Sequence, residues 1–356
     1  MRFLPDGDER EFASMLRRLL DGAEPRLLWS RLADAGVLGL TLPECHGGSG
    51  ARLTALGAFY LEAGRGLCPT IVHGTVQAGL AVDALGNAEQ RGVLLPQLAS
   101  GTASATTALW SNVDAGSVAP ALRADADGES WTLTGSVDFV LDASSADYVV
   151  VSGSEATGRT LVFVVPTDEE GLVAETLTLM GGQTAARLRF DDVVVDDDRM
   201  VLGADEGISE EQLHRLANTA TALLSLDLVG VGEAALQRTV DHTIMRHQFG
   251  RPIASFQAAQ HLVADMHIAL SAARLAARAA VAQLAAGGTA TRATAVARMH
   301  AAEAAKRVTL DAHQLHGGMG YVVDTDLHKF SERARVLSTL GGGADIAATW
   351  LEGAAS

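Results

Sequence analysis

The chain has 356 residues, 48% of them hydrophobic, with 43 acidic against 27 basic side chains and a formal charge of −16 at pH 7. That length and apolar content support more than one packed core and exclude a disordered chain. The acidic balance argues against nucleic acid as a partner, though a few local arginines could still hold an anionic ligand. Two cysteines, Cys45 and Cys68, are too few for a disulfide framework and lack metal-ligand spacing, so both read as structural.

The first hundred residues read as helices. The N-terminus is charged throughout and has no apolar leader core. "EREFASMLRRLLDG" has helical periodicity and ends at Gly22, and "LLWSRLADAGVLGL" follows it. "TLPECHGGSGA" then breaks the pattern with proline and glycines. "LTALGAFYLEAGRGL", "TVQAGLAVDALG" and "NAEQRGVLLPQLASG" give three more helical segments.

From about residue 105 the pattern changes to strands. "SWTLTGSVDFVL", "ADYVVVSG", "RTLVFVVP" and "ARLRFDDVVVDDDRMVLG" are short, rich in β-branched residues and separated by Gly, Ser and Asp. Their spacing suits a small antiparallel barrel or sandwich. Beyond residue 206, the stretches 211–247, 253–287 and 289–315 are alanine- and leucine-rich with few breakers, and a shorter helix follows them. The expected fold is α+β: an N-terminal helical domain (1–104), a central antiparallel β-domain (105–205) and a C-terminal four-helix bundle (206–356). Broad apolar faces on the long helices make oligomerisation through the bundle plausible. No uncharged apolar run approaches the ~20 residues of a membrane span, so a cytoplasmic protein without a membrane partner is expected.

Two segments are more specific. In "RHQFGRPIASFQAAQHLVADM" (246–266) an arginine at a helix end is followed by Phe-Gly-Arg-Pro and by Phe-Gln opening a new helix. In "QLHGGMGYVVDTDLHKFSERAR" (314–335) a helix ends in a Gly-Gly turn and another begins beyond it. Together they resemble the acyl-CoA dehydrogenase flavoprotein family. "WSRLADAGVLGLTLPECHGGSG" with "LEAGRG" is similar to that family's first domain, and "GSVDFVLDASSADYVVV" with "RFDDVVV" to its β-domain. The resemblance covers nearly the whole chain, in order.

The resemblance implies FAD, bound in an extended pose at a subunit interface. Arg246 matches the family arginine on the pyrophosphate, where a guanidinium forks onto phosphate oxygens and a Gly-Gly turn admits close backbone N–H groups. Phe249 would pack on the cofactor and Gln257 would give a polar contact. Gln314, Gly317 and Gly318 match flavin contacts made to a neighbouring subunit. Taken singly, each of these residues reads as an ordinary helix terminus. His313 and His316 read as helix-end or interface residues, and no metal site is expected.

The chain also departs from the family pattern. "WSNVDAGSV" (110–118) stands where the family has Leu-Thr-Glu-Pro-Gly-Ala-Gly-Ser-Asp along the flavin and thioester. Ser111 replaces the threonine, and Gly116 and Ser117 match, while the Glu-Pro pair and the final Asp are missing. Phe139 falls at the aromatic that covers the flavin ring, and Leu141 replaces a hydroxyl residue two positions on. The resemblance further places a glutamate, the base that removes the α-proton of the acyl-CoA, after the last long helix. That position is Gly341, in "LSTLGGGADI". The alternative family position is Ala220, with Thr221 beside it where an arginine is expected. Asp227, Glu233 and Asp345 are the nearest carboxylates, and each also reads as a solvated or capping charge.

Losing a positioned base forfeits about 10²–10⁴-fold in rate. The resemblance therefore points to the base-lacking subunit of heterotetrameric, steroid side-chain type members. Its partners would be an acyl-CoA substrate, a base-bearing homologous subunit, and electron-transfer flavoprotein or a similar acceptor. A homo-oligomeric flavoprotein with a relocated base or altered CoA-ester chemistry is the second reading, and a non-catalytic assembly subunit the third.

Overall fold

The computed structural model describes residues 7–20, 25–128, 130–196 and 198–353. Among the described residues five α-helices lead: α1 (Gly7–Leu20), α2 (Pro25–Asp34), α3 (Leu53–Arg65), α4 (Thr70–Leu85) and α5 (Ala88–Ser100). The glycine stop expected after α1, Gly22, lies outside the described residues. α5 starts in a capping box, with Gln90 N–H donating to Asn87 Oδ1 (3.0 Å) and Asn87 N–H to Gln90 Oε1 (2.9 Å). It ends at Gly101, whose φ of 69° is the left-handed cap that glycine adopts without strain.

Eight strands follow: β1 (Ala105–Ala108), β2 (Leu122–Asp127), β3 (Ser130–Leu141), β4 (Tyr148–Ser154), β5 (Thr160–Pro166), β6 (Leu172–Thr178), β7 (Thr184–Val195) and β8 (Val201–Leu202). They form one sheet in the order β6-β7-β3-β2-β4-β5-β8, with β1 on β4. Most pairs are antiparallel, as the strand pattern suggests. β1 and β2 instead run parallel to β4, because the chain returns to β4 only after the β2–β3 hairpin.

β4 and β5 carry the continuous apolar runs, and the reason is burial on both faces. Val150, Val162 and Val164 join a core with Val82, Leu94 and Leu98 of α4 and α5. The intervening Val149, Val151, Leu161 and Phe163 join a second core with Leu133, Leu188 and Phe190 of β3 and β7. Alternating side chains on one strand thus pack helices on one face and, on the other, residues of β3 and β7 in the same sheet, so the expected barrel or sandwich is a single sheet.

The C-terminal elements are α6 (Glu210–Met245), a hairpin of β9 (His247–Gln248) and β10 (Arg251–Pro252), α7 (Gln257–Ala285), α8 (Thr291–His316), α9 (Leu327–Leu337) and α10 (Ala344–Gly353). α8 packs against α7, α9 and α10. Its buried face is mostly alanine, including Ala295, Ala301, Ala302, Ala305 and Ala312, so the helices approach closely at little side-chain entropy cost. By length and composition alone α6 and α7 could each cross a bilayer, but 78% of the most apolar window of α6 is buried in protein, against 33% for α7.

The chain groups into two compact units, residues 1–21, 57–68 and 221–356 in one, and 22–56 and 69–220 in the other. In the first unit, α3 crosses α6 backbone to backbone. A Cβ on Gly64 would lie 2.0 Å from Asp227 O, and one on Gly230 would lie 2.0 Å from Leu61 O. An ion-pair chain runs beside this crossing. Glu62 takes Arg17 and Arg65, Glu233 takes Arg65 and Arg274, and Glu62 is only 2% exposed.

Candidate functional site

In the first unit, α6 stops at Met245 and the chain turns at once into the β9–β10 hairpin. Its two loop residues, Phe249 (φ 52°) and Gly250 (φ 79°), both have positive φ, the signature of a type I′ turn. Ile253 N–H closes the hairpin back onto Arg246 O at 2.9 Å. This turn lifts the Phe249 ring into solvent, 92% exposed, where the Phe256 ring stands edge-on at 6.2 Å. The Arg251 guanidinium lies 4.1 Å over the Phe256 ring. Gln257, exposed, opens α7 directly beside it.

The other half of the sequence signal joins this group through histidines. His242, one turn before Arg246, stacks on His316, with ring centroids 4.2 Å apart. His316 ends α8, and Gly317 and Gly318 follow. Arg246, Phe249 and Gln257 therefore share one region with Gln314, Gly317 and Gly318. Arg246 is exposed and makes no ion pair among the described residues.

In the second unit, Ser111, Phe139, Ser136 and Ser152 line a cleft of about 240 Å³. The loop that carries Ser111 is closed on itself. Ser111 N–H donates to Ser117 O (2.9 Å), Ser117 N–H to Asp114 O (2.9 Å), and Gly116 N–H to Asp114 Oδ1 (2.9 Å). Asp114 thus shapes the turn in place of the missing Glu-Pro pair. Ser111 Oγ accepts Val113 N–H at 3.3 Å, which leaves its own proton to donate into the cleft. Phe139 sits at a register shift between Val137 and Val140, with φ 57° and 41% exposure. A left-handed phenylalanine costs on the order of 1–3 kcal/mol, a strain typical of functional positions.

The positions expected for a base carry none. Gly341 is buried, with φ 68°, and Ala220 is a buried residue of α6. Asp227 is neither solvated nor a cap: it is wholly buried and paired with Arg333. Glu233 is held by Arg65 and Arg274. Asp345 is an exposed residue in the first turn of α10, the position of a capping charge.

What the sequence reading missed is what shapes the glycine loop. Arg298 is fully buried and donates to Gly342 O (2.9 Å), Leu337 O (2.9 Å) and Leu340 O (2.5 Å). Burial without a carboxylate partner pulls its pKa down to about 10, so it stays charged at neutral pH. The signal was present: Thr294, Arg298, Ala301 and Ala305 lie at helical spacing, and all are buried.

The residues present fit FAD. A Cβ on Gly317 or Gly318 would meet nothing within 4 Å, so packing inside the chain does not call for glycine at 318, and the bare backbone is left open to a ligand. An unpaired guanidinium, an open glycine turn and two exposed carboxamides suit a diphosphate. Phe249 and Phe139 add exposed aromatic surface of the kind a flat ring system covers. Among the described residues no cluster suited to a metal ion occurs.

Comparison with known proteins gives the same answer. Residues 9–102 match the family described as acyl-CoA dehydrogenase, N-terminal domain, and residues 212–352 match acyl-CoA dehydrogenase, C-terminal domain. The 3-sulfinopropanoyl-CoA desulfinase of Paraburkholderia xenovorans is 31% identical over 90% of this chain and 86% of its own length. A variant of the Tcur3481–Tcur3483 steroid ACAD superposes with a TM-score of 0.85 at 31% identity, covering 98% of this chain and 99% of that one. The ChsE4–ChsE5 complex from Mycobacterium tuberculosis gives a TM-score of 0.87 at 27% identity, over 100% and 98%. With this fold, these half-sites and these relatives, the chain belongs to the acyl-CoA dehydrogenase family of FAD-dependent oxidoreductases.

Proposed function

We propose that the chain is one subunit of an acyl-CoA dehydrogenase that desaturates an acyl-CoA thioester between Cα and Cβ, with the proton-abstracting base supplied by a homologous partner subunit. The observation that carries this reading is the buried, left-handed Gly341 at the expected base position, together with Ala220 at the alternative one. The nearby carboxylates are committed: Asp227 to Arg333, and Glu233 to two arginines. Two structural relatives named as pairs of components, ChsE4–ChsE5 and Tcur3481–Tcur3483, support a heteromeric assembly. The latter makes steroid-type thioesters the first substrates to try.

Bound FAD supplies the hydride acceptor. The chain's own residues bind and orient it: Arg246 and the Gly317–Gly318 turn hold phosphate oxygens, Gln257 and Gln314 hydrogen-bond to it, and Phe249 covers apolar surface. Ser111 offers a hydroxyl at the cleft, Ser117 does not line it but closes the Ser111 loop through its backbone, and Phe139 shields the cleft from water. Electron-transfer flavoprotein or a similar protein takes the electrons onward.

The test is expression with and without a base-bearing homologue, reading FAD per subunit from the visible spectrum and turnover of acyl-CoA with an artificial acceptor. The expected result is activity in the complex alone. A solitary chain that is FAD-replete and active would overturn the reading. It would favour a homo-oligomer with altered CoA-ester chemistry, which the 31% identity to a desulfinase supports.

A further inference from the structure

We propose that the stacked His242–His316 pair belongs to the diphosphate-binding half-site around Arg246, and that seating a diphosphate there draws a proton from solvent onto His242. This rests on the reading that the chain binds FAD through Arg246 and the Gly317–Gly318 turn.

The geometry links the pair to both anion-binding elements. His242 O accepts the N–H of Arg246 at 2.8 Å, one turn along α6, and His316 directly precedes Gly317. The rings are nearly parallel, 22° apart, with centroids at 4.2 Å. His316 Nδ1 lies 2.8 Å from Ala312 O. A carbonyl only accepts, so the His316 ring proton is on Nδ1. Two like charges this close repel strongly.

Burial first, then His316 from α8 and Arg246 on its own helix, keep the His242 imidazole below its ordinary pKa. Behind His316 stand His313, and beyond that His328 and Arg335 of α9. The adjacent carboxylate, Asp241, takes a hydrogen bond from Gln237 Nε2 at 3.0 Å. Without an anion His242 is neutral near pH 7. A phosphodiester against Arg246 offsets the cationic share of that effect, and the His242 imidazole accepts the proton.

FAD is the probe, because its diphosphate diester has no group that titrates between about pH 5.5 and 8. Calorimetric titration of the purified protein, alone and with its homologous partner, is run in buffers of different ionisation enthalpy. The expected result is uptake of up to about one proton per FAD, and a Kd that tightens about three- to tenfold from pH 8 to pH 6. In His242→Phe, which keeps a stacked ring, both effects vanish; His242→Gln serves if that variant fails to fold. FAD binding with no proton uptake and a flat pH profile overturns this inference and leaves the FAD reading intact. Proton uptake that persists in both variants also overturns it. Absence of FAD binding in every preparation overturns the FAD reading itself.

Discussion

Asp227 and Arg333 form a two-pronged ion pair sealed from solvent. Nε reaches Oδ1 at 3.1 Å and Nη2 reaches Oδ2 at 2.7 Å, with 0% and 5% of the two side chains exposed. Nη1 donates in addition to Cys68 O at 2.7 Å, so the guanidinium ties α6 and α9 to the end of α3. Removing one partner leaves a buried charge uncompensated. Asp227→Ala is expected to lower stability by about 3–5 kcal/mol. A chemical-denaturation curve checks this, and the loss precedes any assay of turnover, which separates a structural acid from a catalytic one.

Arg298 gives a sharper expectation about the glycine loop. Its three carbonyl bonds hold residues 337–342 from inside the protein. Arg298→Met keeps much of the volume and removes every donor, leaving buried carbonyls unpaired at a cost of about 1–3 kcal/mol each. Amide hydrogen exchange should accelerate in residues 338–343 first, ahead of the rest of α8. Uniform acceleration across the unit would show that the arginine does not act on the loop in particular.

Stability should fall in mild acid. Burial, then His316 and Arg246, holds His242 below 6.5, and burial does the same to His313. A depressed histidine pKa means that the unfolded chain takes up the proton first. The folded state is therefore at full advantage above about pH 6.5 and loses ground as pH drops below it. Melting at about pH 7.5 and 5.5 in the absence of flavin checks the sign. In His242→Phe the number of protons linked to unfolding should drop by up to about one.

Phe139 and Phe249 separate stability from cofactor retention. Both are large, apolar and exposed, 41% and 92%, so alanine at either site should change stability by no more than about 1 kcal/mol. Flavin retention through gel filtration should nevertheless decline in both variants, read from the ratio of visible to ultraviolet absorbance. Wild-type retention in the two variants would remove these residues from the FAD site.

The legible part of the fold was whatever hydrophobic period alone decides. "SWTLTGSVDFVL" became β3, and the three long helices ended within a few residues of the expected positions. β1, β2 and β6 were not anticipated. β6 is largely exposed, and β1 has only four residues, so neither carries a burial pattern to read. The β9–β10 hairpin hid because its turn places phenylalanine, not asparagine or glycine, at the first of its two positive-φ positions. At the site, the residues that the sequence pointed to were those whose spacing repeats a familiar order. Those missed, Arg298, Arg333 and His242, act across the fold. Asp227 and Arg333 are 106 residues apart, and no local window contains both.

The backbone crossing of α3 and α6 has a consequence for how this protein is made. Arg65 and Glu233, which pair beside that crossing, are 168 residues apart, and Cys68 waits 265 residues for Arg333. A ribosome adding roughly 5–20 residues per second leaves the glycine-notched segment of α3 without its mate for many seconds. Until then its apolar surface is chaperone bait, and a C-terminally truncated chain should be recovered as an aggregate.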